Sequence, residues 1–204
     1  MNDSWGQGSD AKGWRVAGRG AAPRIFFRGA RPATRSDDFP QLLRDPLGAL
    51  SVLVARHGGA REVVVTDLLD EPLKVVARLG ADRTINMAGR PDGLAGYQQD
   101  KGTFDVVLEA SGAGPAIAAA AAAARPGAVM VQVGLGGAET ALPLNMFVAK
   151  ELTLRGTFRF HEEFAWAVDF IAWRKIDVRP LLSAVLPVSE ARRLRPRFRP
   201  QTID

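Results

Sequence analysis

Hydrophobic positions in the middle of the chain form short blocks, separated by polar residues and glycines. The short β-branched run at 62–66 is typical of a strand buried on both faces of a parallel sheet, and the valine-containing stretches 104–109 and 128–133 also predict strands. Alanine-rich or amphipathic stretches lie between them and predict helices. This alternation predicts an α/β fold, a Rossmann-like doubly wound parallel sheet. The predicted strands are 62–66, 83–86, 104–109, 128–133, 151–157 and 182–188, and the predicted helices are 47–57, 72–79, 117–124 and 161–174.

Both ends of the chain lack such periodicity. Residues 1–44 are rich in Gly, Pro and Arg, and residues 192–204 alternate Arg with Pro. We therefore expect an irregular basic arm at 1–44, a Rossmann-like domain at 45–191 and an irregular tail at 192–204. The strand-like piece in the first arm is Ile25-Phe26-Phe27, flanked by arginines.

Composition narrows the classes of protein. The 204 residues are 47% hydrophobic and 24% charged, as in a globular domain. The absence of cysteine excludes disulfide scaffolds and cysteine-based metal sites, and two histidines argue against a His-rich metal site. No apolar run is long enough for a membrane span, and the first ten residues are polar, so we expect a cytoplasmic protein with no membrane partner.

The net charge of +5 is unevenly distributed. Residues 1–44 hold 8 basic and 4 acidic residues, residues 192–204 hold 5 and 1, and residues 45–191 hold 14 and 17. Nucleic-acid binding would therefore depend on the arginine-rich arms, through salt-sensitive phosphate contacts. One hypothesis is that the arms bind nucleic acid or another acidic partner. The alternative is that both arms are solvated and bind no partner.

An aspartate ends one of the predicted strands. Asp67 follows the run 62–66 and lies 19 residues after Gly48, which opens a predicted helix. In dinucleotide-binding units an acid at such a place accepts hydrogen bonds from the adenosine ribose and disfavours a 2′-phosphate. An ordinary surface aspartate at a strand end is the alternative.

Residues 46–190 resemble the coenzyme-binding half of zinc-dependent medium-chain dehydrogenases, in the polyol and L-idonate dehydrogenase branch. The stretches that carry the resemblance occur in the same order as in the family. The last of them is the most specific to the polyol and L-idonate dehydrogenase branch. They are Pro46-Leu47-Gly48-Ala49-Leu50, Glu62-Val63-Val64-Val65-Thr66-Asp67, Leu79-Gly80-Ala81-Asp82, Phe104-Asp105-Val106-Val107-Leu108-Glu109-Ala110-Ser111-Gly112, Val131-Gln132-Val133-Gly134 and Leu154-Arg155-Gly156-Thr157-Phe158-Arg159-Phe160.

The resemblance implies a cofactor and roles for individual residues. It implies NAD in preference to NADP, a polyol or sugar acid as the small-molecule substrate, and allows a homo-oligomer. Structural roles are the alternatives for three of these residues: Ser111 as a helix cap, Gly134 as part of a turn after a strand, and Arg159 as a surface cation. By position, Gly48 belongs to the phosphate turn, Asp67 holds the adenosine ribose, Ser111 and Gly112 flank the nicotinamide ribose, Val133, Gly134 and Leu135 present backbone groups to the nicotinamide carboxamide, and Arg159 lies near the substrate.

The departures from the family pattern predict a weak or lost cofactor site. The glycine fingerprint Gly-x-Gly-Pro-x-Gly is replaced by residues 43–48, in which only Gly48 remains and Asp45 places a negative charge where phosphates would lie. The family has a strand before this fingerprint, but residues 37–42 at that place contain two acids and a proline, which do not suit a buried central strand. The sequence therefore predicts an incomplete sheet whose first strand is degraded. Residues 24–28 are a less favoured candidate to fill that gap.

The zinc-holding catalytic half of the family has no counterpart in residues 1–44, which contain no Cys or His. His161-Glu162 lacks a second histidine at metal spacing, so no zinc ligands are predicted. The sequence therefore predicts a dinucleotide-binding domain that is inactive alone, or a nonenzymatic fragment. The resemblance stops abruptly at both ends, and the arginine-rich flanks have the composition that GC-rich codons give when they are read out of frame. If this is their origin, other reading frames of the coding DNA near residues 45 and 192 should encode the missing family elements.

Overall fold

A six-stranded, all-parallel sheet with the strand order β3-β2-β1-β4-β5-β6 forms the frame of the molecule. The computed structural model describes residues 24–28, 46–182, 185 and 187–189. The order of strands is that of a doubly wound Rossmann-like sheet, as the sequence predicts. The strands are β1 (Arg24–Arg28), β2 (Glu62–Asp67), β3 (Arg83–Asn86), β4 (Phe104–Glu109), β5 (Ala124–Gln132) and β6 (Thr153–Gly156).

The expected gap at the centre of the sheet is absent. β1 lies between β2 and β4, with Phe26 in register with Val64 on one side and Val107 on the other. Phe26 is fully buried and its ring stacks on that of Phe104, with 5.2 Å between centroids. The prediction of an incomplete sheet was wrong because Ile25 and Phe26 are apolar enough to be buried between the apolar strands β2 and β4.

The helices cover the two faces of the sheet. α1 (Pro46–His57) and α2 (Asp70–Arg78) pack on one face, where Val52 and Val76 are buried against Val63 and Val65. The other face carries α3 (Ala95–Gln98), α4 (Gly114–Ala123) and α5 (Leu144–Ala149). The alanines of α4 permit a close approach to the sheet, since five of its ten residues are buried.

Strand β5 begins earlier than the sequence predicts. It starts at Ala124 and includes Pro126 and Gly127, where the sequence indicates only a helix stop. The pairing with β4 is irregular between Phe104 and Val106, and Gly127 has a φ of +72°. An irregularity of this kind admits a proline because the ladder is interrupted there.

The last part of the described chain packs less closely. α6 (Glu163–Ala172) has no buried residue, although Phe164, Val168 and Ile171 share a face as predicted. The described residues of the predicted strand 182–188 pair with no strand of the sheet. None of the helices in the described part of the chain combines the length and apolar character needed to cross a membrane.

Candidate functional site

The turns that follow β2, β4, β5 and β6 lie at one edge of the sheet. Because all strands are parallel, their carboxyl ends meet there, and the strand order reverses between β1 and β4. Ligands of doubly wound sheets bind in the crevice at this reversal. The predicted site residues on the described turns therefore share one edge, as the sequence implies.

Asp67 ends β2 and is half-buried. Its Oδ1 accepts a hydrogen bond from the Leu69 amide at 2.9 Å, and its carbonyl accepts one from the Met87 amide at 2.8 Å. Beside it, the Asn86 amide group donates to Asp70 at 2.6 Å. These bonds hold the turn after β2 and the end of β3 together, so the carboxylate has a defined place at the edge.

The turn after β4 is built around a buried carboxylate. Glu109 is completely buried; its Oε1 accepts from the amide and the hydroxyl of Ser111, the amide at 2.9 Å, and its Oε2 accepts from the Gly112 amide at 2.8 Å. The Ser111 hydroxyl oxygen also accepts a hydrogen bond from the Ala113 amide at 3.2 Å, which closes a local turn before α4. Because no side chain caps α4, the alternative of Ser111 as a helix cap is not what the structure has.

The turn after β5 packs directly on the turn after β4. A Cβ on Gly134 would lie 2.6 Å from the Gly112 amide nitrogen and closer still to the Ala110 carbonyl. Gly112 itself has a φ of +65°, and a Cβ there would meet the Leu135 carbonyl and the Gly136 amide nitrogen, the latter at 2.5 Å. Glycine is required at both positions because backbone approaches backbone.

Val133, Gly134 and Leu135 are expected to present backbone groups to the nicotinamide, but the amides of the first two are used within the protein. The Val133 and Gly134 amides donate to the Glu109 carbonyl at 2.8 and 3.0 Å, and the Gly134 carbonyl accepts from Gln132 Nε2 at 2.8 Å. A ligand at this turn would therefore meet the Val133 carbonyl or Leu135, whose side chain is 76% exposed.

The remaining predicted residues lie apart from this pair of turns. Gly48 is buried in the first turn of α1, and Arg159 is exposed in the segment after β6, with its guanidinium 5.1 Å from the ring centroid of Phe158. Asp45 and the two arginine-rich arms, 24–28 excepted, lie outside the described residues. Phosphate repulsion by Asp45 and nucleic-acid binding by the arms stay predictions.

Glu109 and Gln132 were missed as site residues by sequence reasoning. Gln132 Nε2 donates to Glu109 Oε2 at 2.6 Å, and the two residues are in register on adjacent strands. A signal existed, because an acid two residues after Val107 on a buried strand lies on the same face as that core residue. On β2, the buried Thr66 hydroxyl has no hydrogen-bond partner among the described residues.

The residues present do not fit a catalytic zinc site. No cysteine occurs in the sequence, and within the described ranges no three His, Cys, Asp or Glu side chains cluster so that they could hold a metal. Zinc in proteins is held by three or four such side chains.

Comparison with known proteins places most of this structure in one family. Residues 46–173 match the family model described as zinc-binding dehydrogenase. L-Idonate 5-dehydrogenase (NAD(P)(+)) of Escherichia coli is 37% identical over 145 residues, which cover 71% of this chain and 42% of that protein. Sorbitol dehydrogenase of Macaca fascicularis is 32% identical over 154 residues, again 42% of its length.

The solved structures agree with the sequence comparisons. The crystal structure of Escherichia coli L-idonate 5-dehydrogenase superposes with a TM-score of 0.71 at 33% identity, covering 85% of this chain and 45% of that one. The chain thus spans about two fifths of the length of the curated relatives it matches.

Proposed function

Because the chain belongs to the zinc-binding dehydrogenase family, we propose that it binds NAD along the carboxyl edge of its sheet. The observation that carries the proposal is the arrangement of Asp67 on one side of the β1–β4 reversal and of the turns 110–113 and 133–136 on the other. This separation gives the adenosine and nicotinamide halves of a dinucleotide one side each.

Asp67 would hold the adenosine half. Its carboxylate, fixed by the Leu69 amide, accepts hydrogen bonds from the two ribose hydroxyls. A 2′-phosphate would bring a second negative charge to the same place, so NAD is favoured over NADP. The name of the relative from Escherichia coli includes both NAD and NADP, so the preference of this chain has to be measured.

The turns after β4 and β5 would hold the nicotinamide half. Bound NAD supplies the hydride acceptor, and the chain contributes the Ser111–Gly112 turn, the Val133 carbonyl and Leu135 around it. Ser111 is nearly buried and tied to Glu109, so this side of the crevice is rigid before a ligand arrives. Rigid polar groups bind without a large ordering cost.

The substrate class is a polyol or sugar acid, as the names of the relatives suggest. Arg159 would lie near its carboxylate or hydroxyl groups. An arginine stays protonated at neutral pH and cannot take the alcohol proton. We therefore expect this chain by itself to bind the cofactor without oxidising L-idonate, sorbitol or xylitol.

The binding proposal is tested by titrating the protein with NADH and NADPH and following nicotinamide fluorescence. We expect NADH to bind below millimolar concentration, with an affinity weakened by the charge of Asp45, and in Asp67→Ser a loss of affinity for NADH but not for NADPH. Asp92→Ser, at an exposed aspartate in the turn after β3, is the matched control and should change neither. No binding at millimolar NADH would overturn the proposal.

The absence of turnover is tested separately. Protein, NAD and each polyol or sugar acid are mixed, and the NADH absorbance is followed with and without a chelator. Turnover of about 1 per second, a common enzymatic rate, would contradict the expected inactivity if it survived the chelator.

A further inference from the structure

A single carboxylate joins the two turns that face the nicotinamide half of the proposed site. Glu109 Oε1 binds the amide and hydroxyl of Ser111, and Oε2 binds the Gly112 amide and Gln132 Nε2. The first three groups belong to the turn after β4, and the fourth belongs to β5. All four partners are donors, which an ionised carboxylate accepts with its two oxygens.

Gln132 extends this connection to the second turn. Its Nε2 donates to Glu109 at 2.6 Å and to the Gly134 carbonyl at 2.8 Å, so one amide group bridges the carboxylate and the backbone after β5. The carbonyl of Glu109 accepts from the Val133 and Gly134 amides in addition. Glu109 thus fixes the second turn with its backbone and, through Gln132, with its side chain.

We infer that Glu109 is a positioning residue for the nicotinamide half of the dinucleotide. It does not reach the ligand, because its side chain is completely buried. It sets the distance between the turns 110–113 and 133–136, whose glycines leave no space for adjustment. The inference rests on the proposed function, since it assigns a task within that same site.

The charge of Glu109 is required as well as its shape. In Glu109→Gln, the new NH₂ group would replace either Oε1 or Oε2. In the first case it would face the Ser111 amide and in the second the Gly112 amide, and both are backbone donors that cannot turn away. Either way a buried donor loses its acceptor and the turns must separate.

A role confined to general stability would weaken every part of the cofactor site alike. Positioning by Glu109 predicts an uneven effect, because Asp67 holds the adenosine half from the end of β2, on the other side of the β1–β4 reversal from the two turns. ADP carries the adenosine and pyrophosphate but lacks the nicotinamide riboside. The ratio of NADH to ADP affinity therefore separates the two roles.

The experiment compares the unsubstituted chain, Glu109→Gln and Asp105→Asn by calorimetric titration with NADH and ADP. Asp105 is the matched control, because it lies at the start of the same strand and pairs with Arg125 at 2.6 Å, away from the turns. We expect the NADH dissociation constant to rise about tenfold or more in Glu109→Gln only. The ADP constant should stay within about twofold, and the blue shift of bound NADH fluorescence should diminish.

The milder variant Gln132→Met keeps the experiment decisive if Glu109→Gln does not fold. It removes the two bonds by which Gln132 bridges Glu109 and Gly134 and leaves the three bonds between Glu109 and the turn after β4. Equal losses of NADH and ADP affinity, or no loss of either, would overturn the inference. If the unsubstituted chain binds neither ligand, the proposed function fails. Positioning is then decided by amide hydrogen exchange, which should accelerate in 110–114 and 133–136 but not in 62–67, and uniform or unchanged exchange would refute it.

Discussion

Replacing Phe26 by alanine tests whether β1 fills the centre of the sheet. The phenylalanine is completely buried, its ring stacks on Phe104 at 5.2 Å, and its backbone pairs with Val64 and Val107. Alanine at this position would leave a cavity between the sheet and α4, whose Ala120 belongs to the same cluster.

The expected loss of stability is large. Removing a buried phenylalanine side chain costs about 3–5 kcal/mol, out of a total of roughly 5–15 kcal/mol for a domain. With a urea m-value of about 2 kcal/mol per molar, the unfolding midpoint should fall by about 2 M. Urea unfolding followed by circular dichroism measures this shift.

Phe158→Ala is the matched control, because the same side chain is 72% exposed in the segment after β6. Its unfolding free energy should change by less than about 0.5 kcal/mol. If the two alanine variants unfolded at the same urea concentration, Phe26 could not lie in the core. The incomplete sheet predicted from the sequence would then be the better description.

Three further predictions follow from single contacts. Gly134→Ala should lower stability by about 1–3 kcal/mol and reduce NADH affinity, because its Cβ would meet backbone, whereas Gly89→Ala meets nothing within 4 Å and should do neither in the same titrations. Lys150→Met should lower the unfolding free energy by about 1–3 kcal/mol, since Nζ donates to three carbonyls at the end of α4 at 2.8–3.0 Å; an unchanged melting temperature would contradict this. Burial acts to raise the pKa of Asp82, but the Val63 amide and the Arg56 ion pair outweigh it and hold the pKa below its ordinary value. Its stabilisation should therefore be present above about pH 4 and be lost as pH falls through the lowered pKa; Asp82→Asn should remove that part of the acid-unfolding curve, and an unaltered curve would refute the assignment.

Three strands could be predicted almost to the residue. β3 and β4 have the predicted ends, and β2 differs only by including Asp67. The adjacent valines of β2 and β4 are informative because both faces of a central parallel strand are buried. Helix ends were less accurate, as in α2, which begins at Asp70 instead of Pro72.

The edge strand β6 and the last predicted strand show where local pattern is insufficient. β6 is shorter than 151–157, and the apolar stretch 182–188 joins no strand in the described part of the chain. An apolar run indicates that a segment would gain free energy from burial, but it does not indicate which strand will provide its backbone hydrogen bonds. That choice belongs to the whole sheet.

The family, the α/β class and the shared edge of Asp67, Ser111, Gly112 and Val133–Leu135 could be inferred from sequence alone. These follow from local pattern and chain order, because parallel strands bring their carboxyl ends together whatever the details of packing.

Tertiary structure decided the place of β1 and the environment of Glu109. Three apolar residues and the arginines at either end become the central strand because two neighbouring strands offer both ladders and the core offers space for Phe26. An acid that would prefer water is buried because four donors from two turns converge on it. Both outcomes depend on contacts between distant segments, whose combined free energy exceeds the local preference of any one residue.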